Sequence, residues 1–142
     1  MDAFRDEVAR MADNAVDLVH GHRGVTLDFS ERSLADVEDM LAEAADWYAA
    51  FDDDQAVKFV QWFGCYVLEV GRREFGGRYS WYEERDQPVL VVGEPGCRIA
   101  MITWNRVRGR VSGDPADNVP FFYDGFAGRA REARPGDDAL YV

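Results

Sequence analysis

Phe4, Val8, Met11, Ala15 and Val19 recur at intervals of three and four residues, while Asp6, Glu7, Asp13 and Asp17 fall on the opposite side. That spacing predicts an amphipathic helix over residues 3 to 20. Gly21 and Gly24, flanking His22 and Arg23, mark its stop and a turn, and Val25, Leu27 and Phe29 then alternate along a short extended link. With Ser30 as N-cap, Leu34, Val37, Leu41, Ala44, Tyr48 and Phe51 make the stripe of a second helix. The run Asp52, Asp53, Asp54 ends it and opens a third, because carboxylates cap the free amides of a helix N-terminus and complement its dipole. The third helix, about residues 55 to 75, is apolar on most sides and is expected at the centre of the fold. Gly64 and Gly71 lie on one face of it, where another element approaches closely, and Gly76-Gly77 ends it.

From Arg78 onward the period changes to short runs split by turn residues. Residues 79 to 84, 89 to 92 and 97 to 103 predict three antiparallel strands in a meander. Over 104 to 111, Arg106, Arg108 and Arg110 alternate with Val107, Gly109 and Val111, yet Asn105 suits the cap of a short helical turn, and the turn is preferred. Asn118 and Pro120 open a last helix carrying Phe121, Phe122, Phe126 and Ala130. The expectation is a single α+β domain over residues 1 to 133, with N-terminal helices, a three-stranded antiparallel meander and a closing C-terminal helix. Residues 134 to 142 read as a flexible tail.

Length and composition agree with this. A chain of 142 residues, 47% hydrophobic, buries a sufficient core without a disulfide or metal staple. Cys65 in a helical run and Cys97 in a strand-like run lack the close spacing of a zinc or redox pair and read as buried free thiols. The first seven residues are acidic and lead into an amphipathic segment, unlike a secretory signal, and no apolar run approaches a membrane span, so the expected location is the cytoplasm.

Charge changes the picture more than composition does. Residues 1 to 54 carry fifteen Asp and Glu against four Arg, a balance of −11, whereas residues 55 to 142 carry twelve of each sign. Such a one-sided field favours a basic protein partner and repels nucleic acid, membrane surface and acidic substrates. Asp36, Asp39, Glu43 and Asp46, on one side of the second helix, are the residues expected to meet that partner. Simple solubilisation by the acidic third is the bland alternative.

Candidate chemistry is sparse. His20 and His22 are only two ligands, and although Asp17 and Asp28 are near in the chain nothing fixes their geometry, so no metal is assigned and capping of the helix C-terminus is the alternative. Glu69, Arg72, Arg73 and Glu74 form a dense charge cluster on an otherwise apolar helix. Glu69 there is either an acid or base beside a pocket shared with Arg72 and Trp81, or half of a structural ion pair at helical spacing. Arg106, Arg108 and Arg110, with Trp104 as a stacking platform, either bind a small anion or pair with the protein's own acidic helices. There is no glycine-rich phosphate loop, no Gly-x-Ser-x-Gly elbow and no cysteine nucleophile signature, so no catalytic residue and no cofactor is assigned.

The stretch from Tyr66 to Gly77, containing Glu69, Gly71 and Gly76-Gly77 and followed by Trp81, resembles the central signature of a family of small bacterial domains of unknown function. In that family a Tyr-x-Gly-Glu helix runs into Gly-Gly and a Trp; Leu68 stands here at the Gly. Val107, Gly113, Asp117 and the Phe122-Tyr123-Asp124 run are similar to its closing segment. The resemblance spans roughly residues 30 to 127, implies an α+β fold, draws attention to Glu69 and brings no substrate with it.

The expectation is therefore a non-catalytic acidic protein-binding module of the immunity or antitoxin kind, the alternative being a small-ligand binder or enzyme using a pocket near Glu69, Arg72 and Trp81.

Overall fold

The computed structural model describes residues 3 to 142, leaving Met1 and Asp2 outside the described residues. Helix α1 spans Ala3–Arg23 and buries Val8, Ala12, Ala15 and Val19. It runs one turn beyond the expected stop, because Gly21 keeps helical backbone and the terminator is Gly24, at φ 70°, whose N–H donates to the His20 carbonyl at 2.9 Å. Ser30 then caps a single 3₁₀ turn, its Oγ accepting the Ser33 N–H at 3.1 Å, and α2, Leu34–Ala44, follows directly.

The second helix is shorter than its apolar stripe suggests. Tyr48 and Phe51 continue the stripe numerically, but Tyr48 opens a separate 3₁₀ turn, Tyr48–Ala50, and Phe51 is the extended residue that closes it. The chain must be extended at Phe51 and Asp52 so that Asp52 can cap the next helix. That cap is reciprocal: Asp52 Oδ1 accepts the Gln55 N–H at 2.8 Å and Gln55 Oε1 accepts the Asp52 N–H at 3.1 Å.

Helix α3, Asp53–Phe75, is the centre of the molecule as its composition implied, and every residue from Phe63 through Gly71 is buried. Helix α1 lies along it. The two glycines of its bare face receive different elements, Gly64 the indole of Trp104 and Gly71 the side chains of Met101, Leu90 and Phe126. Gly76 and Gly77, both at positive φ, turn the chain into the sheet.

Strands β1 (Arg78–Tyr82), β2 (Gln87–Val92) and β3 (Arg98–Met101) form the antiparallel meander read from the sequence. The sheet, however, has four strands. Asp138–Tyr141 is a strand, β4, parallel to β3 in the register Arg98↔Asp138 to Met101↔Tyr141, so the sheet is mixed and the segment read as a tail completes it. Residues 104 to 111 also exceed the expected turn: Trp104–Val111 is helix α4, burying Trp104, Val107 and Val111. Asn105 does not cap it. Its Oδ1 accepts from Gln87 Nε2 at 2.8 Å, and Gln87 Oε1 takes the Trp104 N–H at 3.0 Å. Helix α5, Val119–Glu132, begins as expected, with Asn118 Oδ1 accepting the Phe121 N–H.

Period-two alternation divides the sheet. Tyr79, Leu90, Val92, Ile99 and Met101 join the main core under the helices, while Val89, Val91, Ala100 and Ile102 form a separate cluster with Tyr82.

Candidate functional site

Helix α2 is fixed by its buried stripe and by one carboxylate. Glu38 accepts the Arg110 Nε–H at 2.6 Å with one oxygen and the Val119 N–H at 3.1 Å with the other, tying α2 to α4 and to the start of α5. Both side chains of the pair are only 12 to 14% exposed, so its charge is neutralised inside the fold. The sequence left open whether the arginines of this region bind an anion or the protein's own acids. Arg110 pairs with Glu38 and Arg106 with Asp117 at 3.0 Å, while Arg108 is exposed and Trp104 is buried against Gly64, unable to serve as a surface stacking platform.

The four acidic residues singled out on the second helix do not share one environment, and Asp46 lies in the turn beyond the end of α2 at Ala44. Asp39 and Asp46 are exposed, and Asp36 and Glu43 are half-buried. Glu43 is engaged within the chain: its carboxylate meets His22 Nε2 and accepts from Arg23 Nη1 at 3.0 Å, joining α2 to the end of α1. His22 thus bonds a carboxylate at the helix end, and among the described residues no group of three or more His, Cys, Asp or Glu is placed to hold a metal ion. Residues 33 to 57 contain no Lys or Arg at all. Among the described residues, Asp36 and Asp39 on α2 and Asp46 just after it form no ion pair, and Asp52 and Asp53 follow them exposed at the start of α3.

Glu69 lies at the other end of the molecule's chemistry. Its side chain is fully buried, yet both carboxylate oxygens accept hydrogen bonds. Arg72 binds it through two nitrogens, Nε at 2.7 Å and Nη2 at 3.0 Å, the Tyr79 hydroxyl donates at 2.5 Å, and Arg73 Nε approaches to 3.5 Å. Burial pushes the carboxyl up, but the bonds from Arg72 and Tyr79 and the two guanidinium charges outweigh it, holding Glu69 below its ordinary value. The Tyr79 hydroxyl is correspondingly pushed up, by burial and by the carboxylate it serves.

The structure brings Glu69 and Arg72 together but not Trp81. Trp81 is 45% exposed, donates its indole N–H to Asp86 at 3.2 Å, and packs against Phe4 and Trp104. None of the three described cavities is lined by Glu69, Arg72 or Trp81. Tyr79 was the partner that the sequence did not reveal, because it reaches Glu69 only once β1 has folded under α3.

The rest of the signature between Tyr66 and Gly77 is also architectural. The Tyr66 hydroxyl accepts the Phe29 N–H at 2.8 Å and bonds Ser33 Oγ at 2.7 Å, holding Phe29 at φ 64° with its ring stacked on Tyr66. At Gly77, φ 92°, a Cβ would lie 2.3 Å from the Val91 carbonyl oxygen.

The cysteines are free, as read, but unlike one another. Cys65 is buried in α3, where burial pushes its thiol up to about 12, and it donates to Met11 Sδ at 3.7 Å. Cys97 lies in the turn before β3, not within a strand, and is only half-buried. A thiolate-selective disulfide reagent at pH 8 should modify Cys97 within minutes and Cys65 only on unfolding. Rapid modification of both in the native protein would contradict the burial of Cys65.

A feature the periodicity disguised lies at the α2–α3 corner. Trp47, Tyr48 and Phe51, all half-buried, form a mutually packed aromatic group over Phe59, with Trp47–Phe51 centroids 5.2 Å apart and His22 6.0 Å from Trp47. Their adjacency to Asp46 and Asp52 was the available signal.

No family model matches the chain, and no curated protein or solved structure matches it. The likeness read between residues 30 and 127 rests on the stretch from Tyr66 to Gly77 with Trp81 and on the closing segment from Val107 to Asp124 alone.

Proposed function

We propose that this chain is a non-catalytic protein-binding module that presents α2 and the corner following it to a basic protein partner, in the manner of small acidic immunity and antitoxin proteins. The observation that carries the reading is the stripe of Asp36, Asp39 and Asp46 on a stretch of 25 residues without a single Lys or Arg. Elsewhere the chain neutralises its buried carboxylates carefully, as at Glu38 and Glu69. Leaving this stripe uncompensated costs self-repulsion that a cationic partner relieves, and it steers such a partner at low salt. The closed hydrogen-bonding of Glu69, with Arg72 and Tyr79 already on it, favours a structural ion pair over an acid or base. A cytoplasmic setting is part of the reading: no described helix is long and apolar enough to cross a membrane, and both cysteines are unpaired.

The test is capture of a stoichiometric basic protein from extract at low salt, comparing the wild type with a variant carrying Asp36→Asn, Asp39→Asn, Glu43→Gln and Asp46→Asn. The expected result is binding lost as salt rises through a few hundred millimolar, and weakened at least about tenfold in the variant. Equal capture by the variant, with unchanged salt dependence, would remove the acidic face from the function.

A further inference from the structure

Arg73, Arg106 and Arg131 each lie over an aromatic ring and also pair with a carboxylate. Arg73 sits 3.6 Å from the Phe29 centroid and 3.5 Å from Glu69. Arg106 sits 4.9 Å from Phe122 and bonds Asp117 at 3.0 Å; Arg131 sits 5.1 Å from Phe75 and bonds both oxygens of Glu31 at 2.7 Å. Guanidinium suits this arrangement because its plane stacks on a ring while its edge donates in a fork to a carboxylate, and ammonium does only the second well.

The corner between α2 and α3 has the same two components. Trp47, Tyr48 and Phe51 offer half-buried rings, and Asp46, Asp52 and Asp53, which flank them in the chain, are exposed. Two cations that flank the corner are engaged, Arg23 with Glu43 and Lys58 with Asp54, whereas Arg32, the nearest upstream in the chain, is exposed. Tryptophan and tyrosine are also the residues that most often carry the energy of a protein interface.

We propose that this corner is an arginine receptor: an arginine of the basic partner stacks on the Trp47–Phe51 rings and donates to the flanking carboxylates of Asp46 or Asp52. The inference rests on the acidic-face reading above and adds to it a chemical preference, Arg over Lys, that charge alone does not give.

Hexa-arginine and hexa-lysine peptides are suitable probes, titrated at equal salt and followed through the tryptophan indole N–H resonances. The expected result is that hexa-arginine binds about fivefold or more tightly than hexa-lysine and shifts the Trp47 resonance, leaving buried Trp104 unmoved. Trp47→Leu should bring the two peptides to parity, while Asp46→Asn weakens both. Because Trp47 packs on Phe59, the wild-type resonance map decides the matter even if the Leu variant is unstable. Parity of the two peptides on the wild type, or indole shifts confined to tryptophans other than Trp47, overturns the arginine receptor and leaves the acidic face standing. Binding of both peptides untouched by the fourfold neutral variant overturns the acidic face as well.

Discussion

Glu69→Ala is expected to lower stability by about 3–5 kcal/mol, a large fraction of what a domain of this size possesses. The carboxylate is fully buried and is the shared acceptor for Arg72 and the Tyr79 hydroxyl, so its removal leaves the 7% exposed tyrosine without its acceptor and Arg72 without its counter-charge. An unsatisfied buried donor alone costs about 1–3 kcal/mol, and the space vacated beneath β1 adds to it. Glu69→Gln keeps the volume and one acceptor oxygen and should lose less, separating charge from shape. The pH dependence has a definite sign. Glu69 titrates below its ordinary value in the folded chain, so the unfolded chain binds its proton first. Its stabilisation is complete above the ordinary carboxylate range, near pH 5 and higher, and is lost as pH falls through the lower folded value. Urea midpoints at pH 7 and pH 3 should therefore fall further for the wild type than for Glu69→Gln. A Glu69→Ala protein within 1 kcal/mol of the wild type would show that the network does not hold α3 to the sheet.

The parts of this network differ in how readily sequence exposes them. Glu69 and Arg72 are three residues apart on one helix, and their pairing follows from helical geometry alone. Tyr79 lies ten residues further on, past the Gly76-Gly77 turn, and Arg110 reaches Glu38 across 72 residues. Contacts of that second kind leave no local period, so the acidic stripe was legible but which of its members are free was not. The same division separates the helices from the tail. The stripes of α1 and α3 repeat over five turns or more, whereas β4 is four residues with alternating exposure, specified by pairing with β3 and by Gly136 at φ 90° leading into it. The aromatic corner was hidden for a third reason. Tyr48 and Phe51 fall on the helical period of α2 by coincidence, and only the demand of Asp52 for extended backbone reveals that the helix has already ended.

Gly64→Ala is expected to destabilise the protein by about 2–3 kcal/mol, although alanine is the better helix former by about 1 kcal/mol. The steric term decides the sign. A Cβ at residue 64 would lie 2.3 Å from Trp104 Cδ1, 3.0 Å from its Nε1 and 3.2 Å from Thr103 Oγ1. Neither neighbour yields easily: the Trp104 N–H is held by Gln87, its ring is 8% exposed against Trp81, and Thr103 Oγ1 donates to the Gly64 carbonyl at 2.7 Å. Relieving the clash means lifting the first turn of α4 from α3. Gly71→Ala meets Met101 Cε at 2.7 Å and Leu90 Cδ2 at 3.0 Å, the far ends of flexible side chains, and should cost about 1 kcal/mol or less. At Gly21, inside α1 with nothing within 4 Å, the propensity term acts alone and alanine should stabilise by about 0.5–1 kcal/mol. The three substitutions are chemically identical, so urea unfolding of the set isolates packing. The order Gly21→Ala above wild type, Gly71→Ala near it and Gly64→Ala well below is the signature of an indole seated on a bare helix face, and a Gly64→Ala protein as stable as Gly21→Ala would mean that α4 does not dock there.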